Sequence, residues 1–538
     1  MDQYDVVVIG YGPCGQMASL QLGQAGHSVI ALERHPQLYG LSRAGHIDDE
    51  IMRTLDRVGA GEEFREDAVA WELYDMRNKA FGGELLMSLD WSTIGPHGHR
   101  GHWIFYQNNL EMALNHRATS LDNVEVHMNH EVVEIDQDAD GVVVTYRDRK
   151  TDEERTVRAA YAIAADGDNS FVRSQLGITT TPGNVGPLQL VIDTVQKHEL
   201  DFAFDNGQFA DPERPGCLFQ LGKTHRRWEF TLLPGEKAED FTLDRVWELL
   251  EPWVTPEDVE VLRHPVYQFR ESMTDEWSRG RIFLVGDAAH ILWPFAGEGM
   301  CNGLRDASAL TWRLDLVLRG LAEPTVLDSY EGDRKPNMQG WTDFSREIGL
   351  PCIITDPAAA DERDGFLKAV QQDPSLMPPP TIPGGYTAFA READPLAGAP
   401  AVQGQVRVDG RTGLFDDVVG RGFQLIVTDP AVLSGLTDDN RAYLETLGAI
   451  VTAVVSSSTD DAGAVVDAEG TYAGWFGEHG RAAVLARPDF WLYGSAADAV
   501  DVNALVSDLR AALAGSGSTG AGANGTVVSG AGEPTAAH

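Results

Sequence analysis

The period of apolar and polar positions changes along this chain, and the changes mark its elements. Val6-Val7-Val8-Ile9 is a continuous apolar run, the pattern of a strand buried on both faces. Residues 15–25 then read as a helix that Gly26 can end, and 28–33 reads as the next strand. A second buried-strand run covers 281–285. Beyond it Met300, Leu304, Ala307, Leu310, Leu314 and Val317 recur at helical spacing up to Gly320. Short alternating runs at 124–127, 131–135 and 142–146 predict a small antiparallel sheet, with 138–141 as a hairpin turn. Alternation at 188–192 and 228–232 predicts a further sheet.

The residues between the first strand and helix are Gly10-Tyr11-Gly12-Pro13-Cys14-Gly15. In such a turn Gly10 permits the tight bend, Gly12 lets a pyrophosphate approach the backbone, and Gly15 lets helix and strand pack closely. The phosphates would sit on the free N–H groups of the helix start. Glu33 closes the second strand at the distance where an acid binds ribose hydroxyls. This motif alone leaves FAD and NAD open. Gly286-Asp287 ends the later strand and places a carboxylate where open α/β sheets bind ligands. Asp287 could also be a simple N-cap. The glycine-rich loop from Trp293 to Gly299 then leads into a helix whose positive end would stabilise negative charge on a reduced flavin.

With Asp166-Gly167 between them, these segments resemble the three motifs of the class A flavoprotein monooxygenases, the FAD-dependent aromatic hydroxylases. Within that family the chain is most similar to the 3-(3-hydroxyphenyl)propionate hydroxylase group. Arg43-Ala44 before Ile47-Asp48-Asp49-Glu50, Arg227-Trp228-Glu229-Phe230, and Trp475-Phe476 extend the likeness to about residue 495. Two departures stand out: Glu298 replaces the amide of a usual Gly-Gln-Gly loop, and His46 stands where many relatives have a small residue.

The resemblance implies an α/β fold: a Rossmann-like FAD-binding domain, an inserted β-sheet substrate domain and a C-terminal thioredoxin-like domain. The FAD-binding domain is expected from 1–70, 104–180 and 271–395, and the substrate domain from 71–103 and 181–270. The thioredoxin-like domain would cover 396–514, after a Pro-rich boundary at 377–383, and a Gly/Ser/Ala tail at 515–538 is expected to be disordered. For cofactor binding the expected residues are Gly10, Gly12, Pro13, Cys14, Gly15, Glu33, Arg34, Arg43, Gln107, Asp166, Gly286, Asp287, Pro294, Gly297, Gly299, Met300 and Cys301. Trp228, Phe230, Trp293 and Phe295 are candidates for the substrate wall, and His46, Tyr74 and Pro294 for catalysis. In the resembled family NADH or NADPH binds transiently and reduces FAD, and a flavin hydroperoxide passes one oxygen of O2 to a phenolic ring. Water must be kept out of such a site.

Composition narrows the partners. Lys+Arg 42 against Asp+Glu 82 gives a net charge of -40, which repels nucleic acid and anionic lipid. No apolar run reaches a membrane span, and the N-terminus lacks a signal-peptide pattern, so a cytoplasmic protein is expected. A small aromatic substrate and O2 are the expected partners, and a homodimer is left open. The four cysteines, Cys14, Cys217, Cys301 and Cys352, have no metal or redox spacing. His97, His99 and His102 lie in a turn-rich stretch without complementary ligands, so no metal is expected. The rival readings are an NAD-dependent dehydrogenase without flavin and a non-catalytic flavoprotein scaffold. A flavin halogenase is disfavoured because its Trp-x-Trp-x-Ile-Pro segment is missing.

Overall fold

The computed structural model describes residues 1–202, 206–377, 386–456 and 464–515. The stretch 378–383 of the Pro-rich boundary and the tail beyond Gly515 lie outside the described residues. The central sheet runs Ser278–Arg279, Ile282–Leu284, Glu154–Ala164, Asp2–Ile9, Val29–Glu33, Val124–Met128. Its middle strands are parallel, and in register Ile9 lies opposite Ala164, which lies opposite Leu284. Gly10, Asp166 and Gly286-Asp287 therefore leave three neighbouring strands at one edge, where such sheets bind ligands.

One strand departs from expectation. Val124–Met128 is a parallel edge strand beside Val29–Glu33, whereas His130–Gln137 and Val142–Asp148 pair antiparallel, the latter also with the start of Glu154–Ala164. An edge strand is wetted on one side, so its alternation looks like that of a hairpin.

Strands from 73–90 and 180–274, with His290–Ile291, form a nine-stranded sheet. One face buries Leu190, Ile192, Trp228 and Phe230 against Val246 and Leu250 of the helix Leu243–Leu250. The other face turns towards the central sheet, since Arg227 donates to the carbonyls of Ser42 and Arg43. His102–Ile104 belongs to a small sheet with His46–Asp48 and Val69–Ala70.

In the C-terminal region Gln424–Val427 and Ile450–Val455 are parallel, connected through two helices, and the hairpin Ala483–Ala486 and Leu492–Ala496 leads into the helix Ala499–Leu513. Nothing in this order conflicts with a thioredoxin-like appendage. No helix among the described residues is long and apolar enough to cross a membrane.

Candidate functional site

The three glycines of the first turn do different work. A Cβ on Gly10 would lie 2.4 Å from the Ala165 carbonyl oxygen, and one on Gly15 would lie 2.0 Å from that of Gly10. Both are required by packing. A Cβ on Gly12 would meet nothing within 4 Å, so its freedom serves something outside the protein. Gly12 also precedes the helix Pro13–Gln24, whose first turn has no side-chain cap. Its N–H groups are left for an anion.

The cleft above this turn is lined by Gly12, Glu33, Arg34, Arg43, Gln107 and Asp166. Among the described residues Arg34 and Arg43 have no ion-pair partner, and the Arg43 guanidinium rests 4.8 Å from the Tyr39 ring centre. Asp166 accepts from the Val172 N–H at 3.0 Å through one oxygen, while its other oxygen is buried without a partner. Glu33 accepts the Tyr11 N–H at 2.8 Å, which fixes its carboxylate at the cleft rim. Two free cations, a bare helix start and an orphaned acceptor match the diphosphate and hydroxyls of FAD.

Gln107 also holds the loop beside the cleft. Its oxygen accepts the N–H groups of Arg43 and Ala44 at 2.7 and 2.8 Å, and its nitrogen donates to Glu111 at 2.7 Å. It is thus a support for the Arg43 loop while lining the cleft itself, with a second amide hydrogen left over.

At the other strand end Gly286 has φ +60 and Asp287 is exposed. Asp287 accepts no hydrogen bond from any described residue, so it is not an N-cap. Surrounding protein pushes its carboxyl up against the pull of His290, Arg43 and Arg270. The turn is tied instead by Asp306, which accepts the Gly286 N–H at 2.9 Å and pairs with His290 at 2.6 Å. His290, beside the ring of Trp277, thus orders the turn. Cys14 fills the space left by Gly286 and Gly303, and burial pushes its thiol well above the usual range.

The loop into the helix Gly299–Leu318 carries an exposed Pro294 and ends on a left-handed Gly297 at φ +68. A Cβ at Gly297 would lie 2.8 Å from His46 Nδ1. The helix start again lacks a side-chain cap, leaving the N–H groups around Gly299, Met300 and Cys301 for an acceptor. Cys301 is buried, with its thiol directed at the His46 carbonyl at 3.6 Å. His46, Glu298 and Cys301 place their ligand atoms within 4.8 Å of one another. Each is otherwise employed: His46 Nε2 lies 2.9 Å from His102 Nδ1, and Glu298 pairs with Arg305 at 2.7 Å.

Burial, with Asp48 beside it, pushes Glu298 up to about 8 in spite of Arg305. A carboxyl that keeps its proton in the folded chain but loses it on unfolding stabilises fully below its unfolded pKa, and this stabilisation is lost as pH rises through about 8. Burial holds His97 and His102 at about 3, so their effect has the opposite sign and lies below their ordinary value of 6.5. Between pH 6.5 and 8 the carboxyl slope is therefore exposed. Over that interval Glu298→Gln should remove up to about 2 kcal/mol of pH-dependent destabilisation. Melting curves at the two pH values check this, and equal slopes in wild type and variant would contradict it.

The substrate-wall candidates divide. Trp293 and Phe295 lie 6.2 and 5.3 Å from the Phe269 ring, centre to centre, and so join this loop to the nine-stranded sheet. Trp228 and Phe230 do not belong to this wall. They point into the core beneath the helix Leu243–Leu250, because in a strand alternate side chains take opposite faces. Their neighbours Arg227 and Glu229 take the inner face. Tyr74, hydrogen-bonded to Gln208, lies within an aromatic group with Trp71 and Trp91, centre to centre 5.4 and 5.0 Å away. Burial pushes Tyr74 well above the usual phenol range.

Residues 3–345 match the family described as FAD binding domain, and 398–512 match the HcaD C-terminal domain. The chain is 33% identical over 518 residues to a probable NADH-specific resorcinol 4-hydroxylase of Rhodococcus jostii (strain RHA1), covering 95% of each chain. It is 29% identical over 538 residues to 3-(3-hydroxy-phenyl)propionate/3-hydroxycinnamic acid hydroxylase 2 of Burkholderia vietnamiensis (strain G4 / LMG 22486), covering 94% of this chain and 96% of that one. In fold it is similar to aklavinone-11 hydroxylase in its ternary complex with FAD and aklavinone, at TM-score 0.76 and 22% identity over 95% of this chain and 99% of that one.

Proposed function

Because this chain belongs to the FAD binding domain family and is an FAD-dependent aromatic hydroxylase, we propose that its substrate is a small phenol lacking a carboxylate, such as resorcinol. One observation carries the choice: the inner face of the nine-stranded sheet is aromatic and acidic, and the arginines named here, Arg227 and Arg270 on the sheet and Arg346 and Arg363 on the helices Ser329–Gly349 and Pro357–Gln372, are already paired. Arg227 is bound by Asp193, Arg346 by Glu271 and Asp343, Arg270 by Asp168, and Arg363 by Asp364. A phenylpropionate would have to place its carboxylate near Glu229 without a free cation, an arrangement that desolvation penalises.

Gly12, Arg34, Arg43 and Asp166 would hold the dinucleotide part of FAD, and Asp287 its polyol chain. The helix start at Gly299 would face the ring. When bound, FAD supplies the redox chemistry that takes a hydride from NADH or NADPH and delivers one oxygen atom of O2. The protein's part is placement and exclusion of water. Trp293 and Phe295 close the apolar side of the substrate space. Tyr74, which keeps its proton, donates a hydrogen bond to the phenol oxygen. His46 is held below its ordinary value by burial and stays neutral at the loop. NADH is the donor we favour, by analogy with the NADH-specific relative.

Stimulated NADH oxidation measured with resorcinol and with 3-(3-hydroxyphenyl)propionate tests the substrate reading. Resorcinol should have the higher kcat/KM by at least about tenfold, given the cost of an unpaired buried carboxylate. A preference for the phenylpropionate would overturn it.

A further inference from the structure

The C-terminal domain reaches the flavin loops through buried polar groups. Trp491 Nε1 donates to Glu50 at 3.2 Å. The other oxygen of Glu50 accepts from Arg305 at 2.7 Å, and Arg305 donates to Glu298 at 2.7 Å. Glu298 stands between Gly297 and Gly299, in the loop that leads into the helix facing the ring.

A second route starts from the same side chain. The ring of Trp491 packs on Tyr386 at 4.1 Å between centres. The Tyr386 hydroxyl accepts from Arg334 at 2.7 Å, and Arg334 donates to Asp306 at 2.7 Å. Asp306 is the residue that ties down Gly286 and His290. Both routes are dry: Trp491 is 4% exposed, Tyr386 1%, Arg334 0%, Arg305 5% and Asp306 0%.

The charges explain why the indole matters. Arg305 serves three buried carboxyls, Asp48, Glu50 and Glu298, so the guanidinium cannot balance all of them. The Trp491 N–H is a neutral donor added to that set from another domain. Removing it leaves one Glu50 oxygen short of a donor in a low-dielectric site, where adjustment is costly. The cluster then relaxes through Arg305, and the nearest element free to move is the glycine-flanked Glu298.

We propose that Trp491 is a positioning residue for FAD, and that through it the C-terminal domain completes the cofactor site by fixing the Glu298 loop and the Asp287 turn together. This rests on the reading that the cleft at Gly12 and Asp287 binds FAD.

Trp491→Phe keeps a ring to pack on Tyr386 and deletes only the N–H. Holoenzyme and variant are compared by FAD dissociation constant, by the visible spectrum of the bound flavin and by its midpoint potential. Trp475→Phe, in the same domain but outside both routes, is the control. Trp491→Phe should weaken FAD binding about three- to tenfold, the usual range for coupling through a packed network, and shift both spectrum and potential. Trp475→Phe should change none of them. Glu50→Gln breaks the chain from the flavin-domain side and should shift the spectrum in a way that is not additive with Trp491→Phe. It keeps the test open if the tryptophan variant does not fold. Wild-type affinity, spectrum and potential in a folded Trp491→Phe, or in Glu50→Gln, would overturn the proposal. Failure of the wild-type protein to bind FAD at all would overturn the cofactor reading beneath it.

Discussion

Gly12→Val is expected to give a folded protein without colour. The substituted side chain would point into a space where a Cβ meets no protein atom within 4 Å, so the apoprotein should melt as wild type does. The same atoms would occupy the volume that a pyrophosphate needs at the start of the helix Pro13–Gln24. Overlap of that kind should weaken FAD binding by about a hundredfold. Gly10 and Gly15 behave differently, because a Cβ at either would press on backbone oxygen, and their substitution should lower stability itself. Flavin content and melting temperature of Gly12→Val, measured together, separate a binding position from a packing position. Full occupancy by FAD in that variant would remove the first turn from the site.

Asp287 should show the second large effect. Its carboxylate is the one strand-end acid of the candidate site that no described residue hydrogen-bonds, and it feels the charges of Arg43 and Arg270. Deleting a charged acceptor costs about 1.5–3 kcal/mol, or roughly ten- to hundredfold in FAD affinity. Asp287→Asn keeps one acceptor oxygen and the shape, so affinity should fall in the order wild type, Asn, Ala. A loosened ring should also release more peroxide per NADH oxidised. Titration of apoprotein with FAD and a peroxide assay check both parts. Normal binding and normal coupling in both variants would reduce Asp287 to a turn residue.

Much of this site is legible in the sequence because strand ends and glycines are local signals. Apolar runs locate the strands that lead to Gly10 and to Gly286-Asp287, whereas Asp166 on the strand between them is found through its Asp-Gly motif. Faces are harder to read. The run Arg227-Trp228-Glu229-Phe230 alternates cleanly, yet alternation does not say which face meets the ligand, and the aromatic pair goes to the helix side. Gln107 shows a different limit, since a motif names a residue without saying that its amide also holds Arg43, Ala44 and Glu111.

Arg305, Asp306 and Arg334 escape the motif reading altogether. A signal for the first two exists in the helix Gly299–Leu318, which is buried nearly all round while carrying Arg305, Asp306 and Arg313. Charges in such a helix must be paired. Their partners, Glu50, Asp333 and Asp489 among them, lie up to hundreds of residues away, and only the fold brings them together.

The most direct test of the account is oxygen labelling. Holoenzyme with NADH and resorcinol under 18O2 should consume oxygen in a substrate-dependent way and give a hydroxylated product carrying one labelled atom, because one atom of O2 enters the ring and the other leaves as water. A product labelled from water, or NADH oxidation that yields peroxide and no hydroxylated product with resorcinol or any other phenol, would contradict it.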